Sequence, residues 1–326
     1  MLQDRFGRLH TSLRVSVTDR CNLRCTYCMP AETPIYQHRR DILSFEEITR
    51  FVQISASLGV DDVRLTGGEP LVRSEIEKLV AVLVRIDGIK KVSLTSNGIL
   101  LGDQAAGLAD AGLRSVNVSL DAMDESAFRQ VTRRPGLDRV LDGIQRAIQV
   151  GLSVKINAIA MRGFTEHQLE RFANYTSVTG IPIRFIEFMP LDSDGAWDPD
   201  AVLSGDQILQ RFRSLVGPLT AVPHDGSSPA TDYVFPDGIG RIGVIPSVTR
   251  PFCDTCNRFR LTADGQIRNC LFGEDSADVR AMLRSGATDE QVADLIRTAV
   301  AAKKAGHGTD DLTFRRPSRP MYAIGG

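Results

Sequence analysis

The sequence predicts an α/β fold: a parallel sheet of repeated strand-helix units, followed by a region of different pattern. Three observations predict it. Short β-branched runs recur ahead of longer amphipathic stretches, with strand starts spaced roughly 25 to 50 residues apart. The pattern changes near residue 192, where polar, turn-rich sequence begins. The 6 cysteines of the 326-residue chain form two groups of three, one near each end.

Strands are expected over 13–18, 63–66, 91–95, 115–120, 154–158 and 183–188, several followed by a turn signal and a helix pattern. Between the first two, Ser44 is a good N-cap. Glu47 completes a capping box ahead of Ile48, Phe51, Val52, Ile54 and Leu58 on one broad face. Ser74 precedes Ile76, Leu79, Val80, Leu83 and Ile86 in the same manner. Further helices are predicted over 138–150 and 165–178, the latter with Glu166 near its start and Gly180 just past its end. In a barrel the loops after successive strands converge on one face, so Thr66 to Pro70, Thr95 to Gly98, and Ser119 with Asp121 would line one cavity. An open doubly wound sheet competes, but a cysteine triad follows the first strand where that fold places Gly-x-Gly-x-x-Gly.

Beyond residue 192, loops are expected over 192–199 and 224–230 and a helix over 205–215. Strands follow over 231–235 and 241–245. A hairpin over 258–261 and 266–269 turns through Ala263, Asp264 and Gly265. Helices over 278–284 and 289–304 complete the pattern. The division is therefore 1–190 and 191–326.

Cys21, Cys25 and Cys28 form the first triad; Cys253, Cys256 and Cys270 bracket the hairpin as the second. Disulfide frameworks belong to small secreted chains, and a chain of this length has core enough to stand without them. A purely electron-transferring cubane iron-sulfur cluster takes four protein thiolates, so three leave one iron open to a small molecule. Zinc completed by His or water is the alternative, although no His lies within twenty residues of the second triad.

Lys plus Arg number 39 and Asp plus Glu 40, so net charge gives no reason to expect nucleic-acid or membrane binding. The first residues lack the apolar segment of a signal peptide, and no run approaches 18 apolar residues. A reducing cytoplasm is the expected home. No G-x4-G-K-[ST] is present, which weighs against a P-loop GTPase.

The segment Cys21-Asn22-Leu23-Arg24-Cys25-Thr26-Tyr27-Cys28 is C-x3-C-x2-C and resembles the signature of the radical S-adenosylmethionine (SAM) superfamily. Gly67-Gly68-Glu69-Pro70 looks like its GGEP motif, with glycines that let a backbone approach closely. The resemblance implies an incomplete (β/α)6 TIM-like barrel of the radical SAM type with a C-terminal α+β extension. It also implies a [4Fe-4S] cluster on Cys21, Cys25 and Cys28, its open iron bound by S-adenosylmethionine. Cofactor contacts are expected from Tyr27, Gly67, Gly68, Glu69, Pro70, Thr95, Asn97, Ser119 and Asp121; for Tyr27, packing of the loop is the equal alternative, and strand-end Asn and Asp are also ordinary turn formers.

Within that superfamily the chain resembles the GTP 3',8-cyclase family of molybdenum cofactor biosynthesis. The residues are Leu13-Arg14-Val15-Ser16-Val17-Thr18-Asp19-Arg20, Ile186-Glu187-Phe188-Met189-Pro190, Cys253-Asp254-Thr255-Cys256-Asn257-Arg258-Phe259-Arg260-Leu261-Thr262 and the terminal Gly325-Gly326. The resemblance implies a second [4Fe-4S] cluster on Cys253, Cys256 and Cys270 whose open iron meets the guanine of GTP. By the same resemblance, a 5'-deoxyadenosyl radical would take the ribose C3' hydrogen, the C3' radical would attack C8, and reduction and protonation would give (8S)-3',8-cyclo-7,8-dihydroguanosine 5'-triphosphate.

Arg14, Arg258 and Arg260 are the implied catalytic and substrate-binding arginines, and Lys155 and Arg184 face the triphosphate. Arg258 and Arg260, two apart, share one strand face. Arg315, Arg316 and Arg319 lie near enough in sequence to help neutralise the substrate. The resemblance also implies that Gly325 and Gly326 belong to a tail inserted toward the active site, and residues added after Gly326 are expected to lower turnover. Implied partners are an external electron donor and cyclic pyranopterin monophosphate synthase, which takes the product; a homodimer is among the expectations for assembly. Rival readings are a radical enzyme acting on peptide or RNA and a zinc-bound interaction domain.

Overall fold

The computed structural model describes the chain apart from residues 31, 33, 193–196, 224, 225, 227, 309–315 and 326. Gly326, Arg315 and three positions of the expected 224–230 loop therefore lie outside the described residues.

The six expected strands are present as β1 (Ser12–Ser16), β2 (Asp62–Thr66), β3 (Lys91–Ser96), β4 (Ser115–Ser119), β5 (Ser153–Ala160) and β6 (Ile183–Glu187), paired in parallel in chain order. The rest of the sheet is β7 (Thr220–Ala221), β8 (Thr231–Val234), β9 (Arg241–Ile245), β10 (Arg258–Leu261), β11 (Gln266–Arg268) and β12 (Ala277–Asp278). Residues 191–326 flank both edges: β9 pairs in parallel with β6, and β10 in parallel with β1. Antiparallel β8 and β7 extend one flank, β11 and β12 the other. No ladder joins the flanks among the described residues, so hydrogen bonds do not close the barrel.

Helices α1 (Phe45–Ser57), α2 (Ile76–Leu83), α3 (Leu101–Asp110), α4 (Glu125–Thr132), α5 (Leu137–Gln149) and α6 (Leu169–Thr179) lie between the six strands. Strand side chains alternate faces. Leu13, Val15, Val63 and Leu65 are fully buried in the core shared with Phe51 of α1 and Val80 of α2, while Ser12, Arg14, Asp62 and Arg64 turn to the cavity inside. After β6 come α7 (Gly205–Val216), α8 (Arg280–Arg284), α9 (Asp289–Ala301), which packs against α1, and α10 (Met321–Ile324). No helix among the described residues is long and apolar enough to cross a membrane.

The Ser44 capping box forms as expected, and Gly180 closes α6 in the left-handed region at φ 70°. The Ser74 cap does not form. Glu69 instead caps a 3-10 turn, Pro70–Val72, and Glu75 precedes α2 with φ 61° and no side-chain cap. The 165–178 helix splits into a 3-10 turn, Thr165–His167, and α6. Sequence reading missed α3, which starts without a capping side chain, and α4, eight residues capped by Asp124.

An N-terminal hook ties the ends of the chain together. The Asp4 carboxylate accepts from the Phe6 and Arg8 amides and from Arg8 Nε at 2.6 Å. The oriented Arg8 guanidinium then donates to the carbonyls of Cys253, Ala305 and Lys304 at 2.8, 2.8 and 2.6 Å.

Candidate active site

The polar inner face of the strands encloses a cavity of about 1050 Å³ whose wall includes all six cysteines. The first triad follows the C-terminal end of β1, whereas Cys253 and Cys256 precede β10, which runs parallel to β1. Cys270 follows β11, which returns antiparallel to the same end. The triads therefore occupy opposite mouths, separated by a five-residue strand, about 17 Å.

The first loop is pinned by the end of α4. Arg24 and Thr26 donate their amides to the carbonyls of Thr132 and Val131. Arg133, left-handed at φ 56°, donates from Nη1 to the carbonyls of Arg24 and Met29 at 3.2 and 3.0 Å. Tyr27 donates its hydroxyl to Asp121 at 2.6 Å, and Asp121 also accepts from the Ile159 amide, which ties the loop to the ends of β4 and β5. Burial pushes the Cys21 thiol up to about 11, with Glu69 adding, and pushes Cys25 and Cys28 up strongly.

Thiols so placed ionise readily only against a bound cation, and all three are free of disulfides. Among the described residues no three His, Cys, Asp or Glu side chains converge on the space of a single ion; a multinuclear core takes thiolates from separate irons and asks for a wider spread. The donor chemistry fits such a core at both mouths.

Gly67 and Gly68 permit a close backbone approach, here between two segments of the chain itself. A Cβ on Gly67 would stand 2.6 Å from the Thr18 carbonyl oxygen, and one on Gly68 2.4 Å from that of Arg20. The glycines thus let the end of β2 lie against the lead-in to the cysteine loop. Glu69, pushed up to about 7 by burial, is held by the Leu71 and Asn97 amides and the Ser96 hydroxyl at 3.0, 2.7 and 2.9 Å. Asn97 Nδ2 lies 2.7 Å from Asn22 Oδ1 and 3.7 Å from Cys21 Sγ. Thr95 and Ser119 line the cavity, and Pro70 is buried in its turn.

Strand register gathers the cations. Arg14 lies opposite Arg260 on one side and Arg64 on the other, and Ser12 lies between Arg258 and Asp62. Burial drives the Arg14 guanidinium well below its ordinary value, and repulsion from Arg260, Arg64 and Arg258 drives it further. Arg260 falls to about 9 through burial and its neighbour Arg258. Lys155 is lowered by burial and by Arg184. Arg184 is held in a fork by Asp232, at 3.0 and 2.6 Å, so it enters the wall as an ion pair. Arg64, one strand from Arg14 with Nε 3.2 Å from Ser93 Oγ, escaped sequence reading. Its period-2 spacing from Thr66 was the available signal.

At the second mouth, burial would raise the Cys256 thiol, but Arg258 and Lys303 overcome it and bring it down to about 6. Glu187, from the Ile186 to Pro190 motif, accepts from the amides of Gly205, Val248 and Thr249 and from the Thr249 hydroxyl. It therefore fixes α7 and the turn after β9. Arg319 pairs with Asp264 and Asp275, and Arg316 donates to the Trp197 carbonyl, so both cations have protein partners.

The tail docks inside the barrel. Tyr322 and Ile324 are buried, Arg260 donates to the Gly325 carbonyl, and Gly325 adopts φ 77°. A Cβ there would meet Ser16 Cβ at 2.8 Å. Gly325→Ala is expected to lower turnover about a hundredfold by displacing the tail from the cavity wall, with the melting temperature nearly unchanged; steady-state rates beside thermal unfolding check this.

Comparison with known proteins agrees with this architecture. Residues 15–176 match the radical SAM superfamily, and 181–309 match Molybdenum Cofactor Synthesis C. The chain is 49% identical to a GTP 3',8-cyclase of Rhodopirellula baltica, covering 100% of this chain and 92% of that protein. It is 42% identical to one of Thermodesulfovibrio yellowstonii, covering 100% of both. Among solved structures it resembles Streptococcus suis SuiB bound to S-adenosylmethionine, with TM-score 0.62 and 13% identity over 91% of this chain and 68% of that one. Methylornithine synthase is similar with TM-score 0.51 and 17% identity, over 64% and 63%. These two likenesses show the fold. With full-length relatives at such identity, the chain belongs to the GTP 3',8-cyclase family of the radical SAM superfamily.

Proposed function

We propose that this chain cyclises GTP to (8S)-3',8-cyclo-7,8-dihydroguanosine 5'-triphosphate, the first step of molybdenum cofactor biosynthesis. The observation that carries the reading is a ring of mutually repelling, recessed cations between two thiol triads at opposite mouths of one cavity. Buried like charges are costly unless an anion joins them, and a triphosphate supplies several negative charges at once. When bound, S-adenosylmethionine on the first cluster supplies the one-electron chemistry that removes a ribose hydrogen, and the second cluster supplies an open iron position for the base.

The chain's own residues do the rest. Arg14, Arg64, Arg258 and Arg260 hold the triphosphate from β1, β2 and β10, and Lys155 and Arg184 reach it from β5 and β6. Planar guanidinium forks suit bidentate phosphate contact. Asp232 keeps Arg184 in position. Cys21, Cys25 and Cys28 hold the first cluster, beside Asn97, Thr95 and Ser119 as cofactor contacts. Cys253, Cys256 and Cys270 hold the second. The tail through Gly325 covers the reacting centre and excludes water.

Residues 1–190 form the radical-generating unit and 191–326 the unit that brings the second cluster. An external low-potential donor supplies electrons, the product passes to cyclic pyranopterin monophosphate synthase, and such oxygen-sensitive clusters suit the cytoplasm. Anaerobic protein given GTP, S-adenosylmethionine and dithionite is expected to form the cyclised triphosphate, detected by mass spectrometry. GTP is expected to shift the electron paramagnetic resonance (EPR) signal of the second cluster. A signal indifferent to GTP, with GTP recovered intact, refutes the reading.

A further inference from the structure

Lys303 lies just beyond α9, 3% exposed. Its Nζ donates to the Arg258 carbonyl at 2.6 Å and to Cys256 Sγ at 3.3 Å. Among the described residues no carboxylate pairs with it within salt-bridge distance. A buried ammonium requires a negative partner, and the sulfur of Cys256 is the candidate the geometry offers.

The placement is built. The Arg8 guanidinium that holds the Lys304 and Ala305 carbonyls also holds the carbonyl of Cys253. One rigid fork therefore sets the segment carrying Lys303 against the loop carrying the triad. Cys256 Sγ also lies 3.6 Å from Arg258 Nη2. The first triad is treated differently: Cys21 Sγ meets the Leu23 amide at 3.4 Å, Asn97 Nδ2 at 3.7 Å and Asn22 Oδ1 at 3.9 Å, all neutral groups.

We infer that Lys303 is a positioning residue that sets the reduction potential of the second cluster through its charged hydrogen bond to Cys256. The inference rests on the two-cluster reading proposed above. Hydrogen bonds to cluster sulfurs raise the potential, because the added electron makes the thiolates better acceptors. A cationic donor does so more strongly than a neutral one. One electron from the external donor enters the cluster, and Lys303 stabilises the reduced state without taking or giving a proton.

The test is a dithionite titration of full-length, anaerobically reconstituted protein, followed by EPR in a Cys25→Ala background that leaves the second cluster alone. Lys303→Met removes the donor, and Lys303→Arg keeps a cationic one. At a fixed potential near the midpoint, the reduced-to-oxidised ratio is expected to fall about tenfold in Lys303→Met, with Lys303→Arg close to the parent. Equal midpoints in parent and Lys303→Met overturn the inference, as do equal displacements in Met and Arg. If Lys303→Met fails to retain iron, Lys303→Gln takes its place and must titrate below Lys303→Arg; coincident midpoints again overturn it. Iron analysis separates the two levels. A Cys25→Ala parent without iron defeats the two-cluster reading, whereas about four irons with an unmoved potential defeats the role of Lys303 alone.

Discussion

Cys25→Ala is expected to remove about four irons from the anaerobically reconstituted chain and to abolish turnover. Cys256→Ala is expected to remove a different set of about four, leaving cleavage of S-adenosylmethionine measurable while cyclisation of GTP is lost. The asymmetry follows from topology, since the triads sit at opposite ends of β1 and β10 and share no ligand. Iron analysis, EPR and separate assays of 5'-deoxyadenosine and cyclised nucleotide check it. Zinc in place of iron, or one substitution that empties both sites, sinks the assignment.

Arg260→Ala is expected to weaken GTP binding by a hundredfold or more, about the cost of truncating one member of a buried charge contact, while leaving the folded state as stable as before or slightly more so. Arg260 is 6% exposed and stands beside the like charges of Arg258 and Arg268. Its removal relieves repulsion in the free protein. Arg268 is the contrasting control: fully buried, it pairs with Asp275 at 2.6 Å and donates to the Gly273 carbonyl. Arg268→Ala should therefore unfold at markedly lower temperature. Arg260→Lys should recover only part of the affinity, because an ammonium lacks the planar fork. Isothermal titration with GTP and thermal unfolding separate the two kinds of arginine; a large stability loss in Arg260→Ala would reassign it to the structural kind.

Local pattern made much of this legible. The strands, the Ser44 box and the hairpin after Cys256 depend on near neighbours in sequence. Apart from the weakly capped α3 and the short α4, what escaped depends on distant pairings. That β10 lies beside β1 joins residues 246 positions apart, Ser12 with Arg258, and only this pairing assembles Arg14, Arg64 and Arg260. The glycines of Gly67-Gly68 were visible, but their reason lay in the approach of Thr18 and Arg20. Tyr27 reads two ways in the sequence, and its hydrogen bond to Asp121 is a contact that the sequence does not announce. Lys303 carries no motif at all, and its burial against Cys256 follows from the Arg8 hook at the far end of the chain.

The unjoined edges of the sheet bear on traffic. Where the flanks ending in β7 and β12 remain unpaired among the described residues, the wall has a lengthwise seam that can part without breaking a ladder. Substrate exchange through such a seam would spare the two cysteine-bearing ends from opening on every catalytic cycle.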